Sequence, residues 1–413
     1  MSSKQKALLI IGAGIEQVYA YKLAKEQGHI VIGTDVNSDA PAFSEADYKI
    51  IVSTRDAEST LSEVIKFQQE KNITIHGVMT VANDVPLTVA TLSNYLNLEG
   101  LSIESAQYSS NKLLMKNKLK DANVSVTPFF PVNNYDEAID VINTISFPVI
   151  IKPVDGRGSR NVFYIRSEDD LIYVKKIFEI QKSQILVEKF YDGQQLSTES
   201  MILNNKCYTA GISVRNYERL EQFSPYVIED GGTLPANLDE MMIKKIDSLL
   251  LKAAKALNYS KGSIKGDIVI HNGSPYLIEV ALRLSGGFFC THQIPKTSGV
   301  DLVLQTINLS LGEQVFEEDL VPHNKCYMAT RYFFPKTGQL KSIKGFTEIQ
   351  KNDWIFNADI FLKPGDKINN ITSHADRVGF IQALGSTYEE AVKRANLTIS
   401  SVEFELENIN EKK

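Results

Sequence analysis

Between residues 6 and 110, short apolar runs alternate with segments whose apolar residues recur at helical spacing. ALLII at 7–11, IVIGTD at 30–35, YKIIV at 48–52 and HGVMT at 76–80 read as strands, while segments such as YAYKLAKEQG between them are amphipathic. That rhythm predicts a doubly wound parallel sheet. Farther on, YSSNKLLMKNKLKDANVSV at 108–126 predicts a basic helix opened by a Ser/Asn cap. FPVIIKP at 147–153 predicts a buried strand ending in Lys152, and VFYI a returning strand after the turn-rich loop VDGRGSRNV. A helix over 168–181 then leads into QILVEKF, and no low-complexity linker breaks this region. LDEMMIKKIDSLLLKAAKAL at 238–257 predicts an amphipathic helix, with another expected over 299–311. Between these helices, KGDIVIHNGSPY at 265–276 and LIEVALRLSGG at 277–287 predict two strands joined through the HNGSP turn. Strict alternation turns Ile278, Val280 and Leu282 inward and sends Glu279, Ala281 and Arg283 to the other face. CYMATRYFF, GFIQALG and the helix YEEAVKRANLTI, all within 320–410, predict a compact α+β end piece.

At 413 residues the chain exceeds one ordinary core, so two to four packed units are expected. A formal charge of −6 without a long Lys/Arg run gives no electrostatic reason for a nucleic-acid partner, and small molecules are the expected ligands. The three cysteines, Cys207, Cys290 and Cys326, are widely spaced, which argues against a disulfide framework or a structural zinc site and fits a reducing cytoplasm. ALLIIG at 7–12 is too short for a signal sequence or a membrane span, and no later apolar run reaches spanning length, so a soluble protein without a membrane partner is expected.

Candidate chemistry concentrates in four places. Asp267 lies twelve residues ahead of Glu279, so a hairpin brings both carboxylates to one face beside Arg283, an arrangement suited to Mg²⁺ on a nucleotide. Lys152 precedes Gly156, Arg157, Gly158, Ser159 and Arg160; glycines let amides approach phosphate oxygens while the cations neutralise them. ILVEKFYDGQQLSTE at 185–199 offers an extended backbone flanked by apolar and aromatic residues, suited to a flat adenine. In IGAGIEQ, Gly12 and Gly14 with Asp35 outline a dinucleotide turn, but Gln17 stands where the third glycine belongs. Each motif alone also has an ordinary structural reading: a charged sheet face, a hairpin tip, a strand end, a packing turn.

Taken in order, lysine on a helix, lysine at a strand end, glycine-rich loop, Glu-x-x-aromatic hinge and then Asp…Glu-x-x-x-Arg resemble the ATP-grasp superfamily. Within it the chain is most similar to bacterial L-amino-acid (dipeptide) ligases, with kinship to carbamoyl-phosphate synthase large subunits and purine-pathway ligases. SPYVIEDGGTLPANL at 224–238 and EVALRLSGG followed by KTSGVDLV at 296–303 add to the likeness. The resemblance implies an α/β and α+β architecture: a Rossmann-like domain over 1–105, an ATP-grasp domain over 106–312 with a small lobe near 120–192 and a large lobe near 193–312, and a C-terminal α+β domain over 313–413. It implies that Lys112 and Lys152 contact ATP phosphates under a lid at 155–160, and that Glu188 with the backbone of Lys189, Phe190 and Tyr191 grips adenine. Asp267 and Glu279 would hold Mg²⁺, with Mn²⁺ as an alternative ion, and Arg283 would offset charge on an acyl phosphate. Glu229 would meet a substrate ammonium group, and Ser285, Gly286 and Gly287 would line the substrate loop. A homodimer is the family-level expectation.

Two positions depart from the family pattern: Ala281 replaces an Asn near the second metal-binding acid, and Gln195 replaces a ribose-binding Glu. Glu199 is expected to take over either duty. The implied activity is ATP-dependent joining of a carboxylate to an amine. Rival readings are an ATP-binding regulatory protein that has lost chemistry and an NAD(P)-dependent oxidoreductase using the Gly12–Gly14 turn. His271 is expected to be exposed, Cys290 to be a packing residue, and His292 to satisfy local hydrogen bonds.

Overall fold

A computed structural model describes residues 5–323 and 325–407. The parallel sheet predicted at the N-terminus is present, with strands in the order Tyr48–Ile51, Ile30–Asp35, Ala7–Ile11, Gly77–Met79. Leu8, Leu9, Ile10 and Ile11 are all buried because helices cover both faces. Helix Val18–Glu26 packs on one side and Ala57–Lys71 on the other.

A separate helix, Ile103–Ser110, precedes the basic helix expected within 108–126, which is Lys112–Asp121. Asn111 separates them: its extended backbone ends the first, and its side chain accepts from the Leu113 and Leu114 amides to cap the second. A four-stranded antiparallel sheet follows, ordered Phe129–Val132, Ile185–Lys189, Val149–Pro153, Phe163–Ile165. Helices Tyr135–Ile145 and Leu171–Ile180 cover its apolar face.

The second lobe is built on an eight-stranded sheet running Ser274–Ala281, Gly262–His271, Gln194–Leu203, Lys206–Asn216, Gly231–Leu234, Tyr327–Tyr332, Gly379–Gly385, Ile355–Ile360. Its ladder crosses the 312/313 border drawn from the sequence, since Gly231–Leu234 pairs directly with Tyr327–Tyr332. Helix Glu240–Ala256 packs against one face through Ile246, Leu249, Leu250 and Ala253.

The hairpin that carries the two carboxylates turns through Asn272 and Gly273, both left-handed, as a two-residue hairpin turn requires. Asp267 and Glu279 are directly opposed in it. The strict alternation expected beyond them is broken by a bulge: Ile268 pairs with Leu277, and Ile278 is the extra residue. Leu277, Val280 and Leu282 therefore fill the core, and Ile278 faces the interlobe cavity instead.

Candidate active site

Apart from Arg160 and Glu199, the residues singled out above as nucleotide, metal and substrate candidates, from Lys112 to Gly287, line one cavity of about 460 Å³ between the two lobes. The small-lobe side is organised by charge. Glu188 is buried, and its carboxylate lies 2.9 Å from Lys152 Nζ and 3.0 Å from Lys116 Nζ. Burial alone would raise this carboxyl; the two ammonium groups overcome that and hold it below its ordinary range. Lys116, on helix Lys112–Asp121, is fully buried and also donates to Thr127 Oγ1 at 2.7 Å. Burial pushes its ammonium down to about 8. The expectation that the Glu188 side chain grips adenine is corrected here, because its oxygens are committed to lysines. Of the backbone beyond it, the Lys189 and Phe190 amides are engaged by the Pro128 and Pro148 carbonyls, and among the described residues the Tyr191 amide alone has no partner. Lys189 Nζ donates to the Ser146 and Phe147 carbonyls.

An apolar patch lies beside this strand end. Ile150, Val269 and Ile278 line it, so the bulge places a branched aliphatic side chain where alternation would have hidden it. Tyr191 stacks on His271 with ring centroids 4.2 Å apart, so His271 is a stacking partner and half-buried rather than an exposed turn residue. Gln195 lines the same cavity.

On the phosphate side, Lys112 Nζ donates to the Gly156 carbonyl at 2.5 Å and lies 3.1 Å from Glu279. The lid is tightly turned, with Gly158 and Ser159 both near φ +59°. Asp267 is 2.5 Å from Lys265 Nζ and 3.5 Å from Arg215 Nη1. Burial works to raise its carboxyl, but Lys265 and Arg215 outweigh it and keep the group ionised well below the usual carboxylate range. Glu229 pairs with Arg215 at 2.7 Å. Arg283 is gripped by Asp84, on the loop after strand Gly77–Met79, with Nε 2.6 Å from Oδ1.

The Ser285–Gly287 loop is fixed from two directions. Glu16 Oε1 accepts from the Gly287 amide at 2.6 Å, and a side chain at Gly286 would meet Glu16 Oε2 at 2.6 Å, so the carboxylate lies close over the loop. From beneath, Glu199 accepts from the Ser285 amide and hydroxyl. Glu199 is fully buried, and burial raises its carboxyl to about 7 despite the Ser285 hydrogen bonds. It is absent from the cavity wall, so the idea that it replaces a ribose or metal ligand is overturned. Cys290 is fully buried in the core, and His292 Nδ1 lies 2.7 Å from Thr291 Oγ1, both as expected. At the N-terminal turn, buried Gln17 donates to the Val81 carbonyl and Asp35 accepts from the Ala13 amide, so the groups a dinucleotide would need are already engaged.

Arg215, Lys265, Asp84, Glu16, Lys116 and two residues near the C-terminus, His374 and Arg377, carry no motif of their own, and sequence reasoning missed them. Lys265 alone left a signal, since it stands two residues before Asp267 on the same strand face. Asp267 and Glu279 opposite each other suit Mg²⁺, which keeps much of its shell from phosphate and water; Ala281 adds only a methyl group. Among the described residues no cluster of three or more His, Cys, Asp or Glu forms a self-sufficient metal cage.

Three family models match the chain: a PylC-like N-terminal domain over 8–95, an ATP-grasp domain over 109–287 and an L-amino acid ligase C-terminal domain 2 over 331–407. Together these matches span most of the chain, and its central domain is an ATP-grasp domain. An L-arginine-specific L-amino acid ligase of Bacillus subtilis is 24% identical over 303 residues, covering 71% of each chain. A carbamoyl phosphate synthase large chain of Thermoanaerobacter is 25% identical over 265 residues, 62% of this chain and 24% of its own, so this chain spans about a quarter of that relative. The crystal structure of an L-amino acid ligase from Bacillus licheniformis superposes with a TM-score of 0.83 at 20% identity, covering 98% of this chain and all of the other, a likeness of fold. Among the described residues no helix is long and apolar enough to cross a membrane.

Proposed function

We propose that this protein joins an amino-acid carboxylate to an amine at the expense of ATP. The observation that carries the reading is the convergence, on one interlobe cavity, of the Lys112/Lys152/lid cations, the opposed Asp267–Glu279 pair and Arg283. Adenine lies against Ile150, Val269 and Ile278, its edge read by backbone near Tyr191. Lys112, Lys152 and the Gly156–Ser159 lid hold the phosphates. Asp267 and Glu279 hold Mg²⁺, or Mn²⁺ in its place; the ion supplies charge neutralisation on the phosphate oxygens.

The substrate carboxylate oxygen attacks the γ-phosphorus, the bond to ADP breaks, and an acyl phosphate forms. The amine nitrogen then attacks the acyl carbon and inorganic phosphate leaves, giving an amide and releasing a proton. Neither step needs a protein nucleophile. Arg283, held by Asp84, offsets charge at the reacting acyl group, and the Ser285–Gly287 loop positions it. A cytoplasmic location and a homodimer belong to the same reading.

The test is a panel of amino acids, alone and in pairs, assayed for Mg²⁺-dependent ADP release with hydroxylamine present to trap acyl phosphate as hydroxamate. At least one amino acid should give both. ATP binding without ADP or hydroxamate across the whole panel would favour a regulatory protein, the reading that the methyl group of Ala281 in the cavity wall supports.

A further inference from the structure

Five cavity cations have an acid beside them: Lys112 with Glu279, Lys152 with Glu188, Lys265 with Asp267, Arg215 with Glu229, and Arg283 with Asp84. Three further cations line the same cavity and, among the described residues, form no ion pair: Arg157 belongs to the phosphate lid, Lys189 Nζ is spent on the Ser146 and Phe147 carbonyls, and Arg377 remains. Its guanidinium carbon lies 3.8 Å from the Tyr332 ring centroid, and Nη2 donates to the Glu229 carbonyl at 2.7 Å. Nε is buried without a hydrogen-bond partner. A guanidinium held against the face of a ring, with donors left over and no acid paired with it, is prepared for a carboxylate.

The backbone around Arg377 is built to hold it there. Ser373 and Asp376 form a reciprocal capping box that closes the turn His374–Asp376, and Arg377 follows immediately. The His374 amide donates to the Gly158 carbonyl of the phosphate lid at 3.2 Å, and His374 Nε2 accepts from the Glu229 amide at 3.3 Å. One turn from the C-terminal region thus spans the lid and the strand entry that carries Glu229.

The proposed reaction brings in two carboxylates when both substrates are amino acids. One is phosphorylated beside Arg283. The other, on the incoming amine, keeps its charge throughout and needs a cation that is not already neutralised. We propose that Arg377 binds the α-carboxylate of the amine-donating amino acid and so selects an amino acid over a simple amine. This inference rests on the ligase reading.

Calorimetric titration of the full-length protein with each of the twenty amino acids and each carboxamide, in the presence of MgADP, tests it without turnover. At least one amino acid binds about tenfold or more tightly than its carboxamide, the scale of one charge-assisted pair. R377Q, which can still donate to the Glu229 carbonyl, loses that gap, and R377K recovers part of it. For an acceptor that turns over, R377Q lowers kcat/KM at least about ten times more than it does for hydroxylamine, which has no carboxylate. Equal binding of acid and amide by the wild type, no amino-acid binding at all, or an undiminished gap in R377Q would each overturn the assignment. Hydroxamate formation without acid–amide discrimination removes this inference and leaves the ligase reading standing; discrimination without ADP release does the reverse.

Discussion

A single carboxylate, Glu188, is shared by two lysines, Lys116 and Lys152, and this decides how substitutions there should behave. Lys152→Ala leaves Lys116 and Glu188 as a neutral buried pair, so the fold should survive while ADP release falls about a hundredfold or more; a wild-type rate would remove Lys152 from the phosphate site. Glu188→Gln strands two buried cations and should cost about 3–5 kcal/mol in urea denaturation, far more than Lys116→Met, which leaves one neutral pair. Glu199 provides a pH signature. Its carboxyl is raised from an ordinary 4.5 to about 7, so between those values the folded protein holds a proton that the unfolded chain has released. That contribution is complete below pH 4.5 and is lost as pH rises through 7, so the stability difference between wild type and Glu199→Gln should change by about 3 kcal/mol between pH 5 and pH 8. A difference that stays constant with pH would contradict the buried, protonated state. Asp267 and Glu279 were readable as a pair from their spacing across a turn; Lys116 was not, because in KLLMKNKLK it looks like any other lysine of a basic helix.

Among the elements, the hairpin Gly262–Ala281 carries the most chemistry, and its bulge is the feature that a two-residue period does not reveal. Alternation alone assigns Ile278 to the core; the extra residue moves Leu277 there and gives Ile278 to the cavity. Ile278→Ala should therefore leave the melting temperature nearly unchanged and raise the KM for ATP by roughly tenfold, the scale of one aliphatic side chain's burial. If the variant melts much earlier with an unaltered KM, Ile278 is a core residue after all. In the 108–126 segment the Ser/Asn run predicted the cap of the basic helix but not that Asn111 is the capping residue while Ser109 and Ser110 end the helix before it.

At the scale of the molecule, the eight-stranded sheet joins what sequence analysis separated into two domains. A fragment ending at 312 leaves Gly231–Leu234 without its Tyr327–Tyr332 partner and bares an open edge, so it should aggregate on size exclusion where the full chain does not. A soluble, folded 1–312 fragment would show that the second lobe closes without the C-terminal strands. The same continuity lets Arg377 and His374 enter a cavity whose phosphate and metal walls come from earlier parts of the chain, and the contacts of Asp84 and Glu16 bring in the N-terminal sheet. The sequence by itself determined the elements, the order of the phosphate, hinge and metal motifs, and the opposed Asp267–Glu279 pair, because periodicity and short spacing act within one or two neighbouring strands. Only the tertiary structure decided which acid faces which cation, where the bulge sits and that Arg377 enters the cavity without an acid beside it, because those depend on groups that become neighbours only when separate sheets close around one cavity.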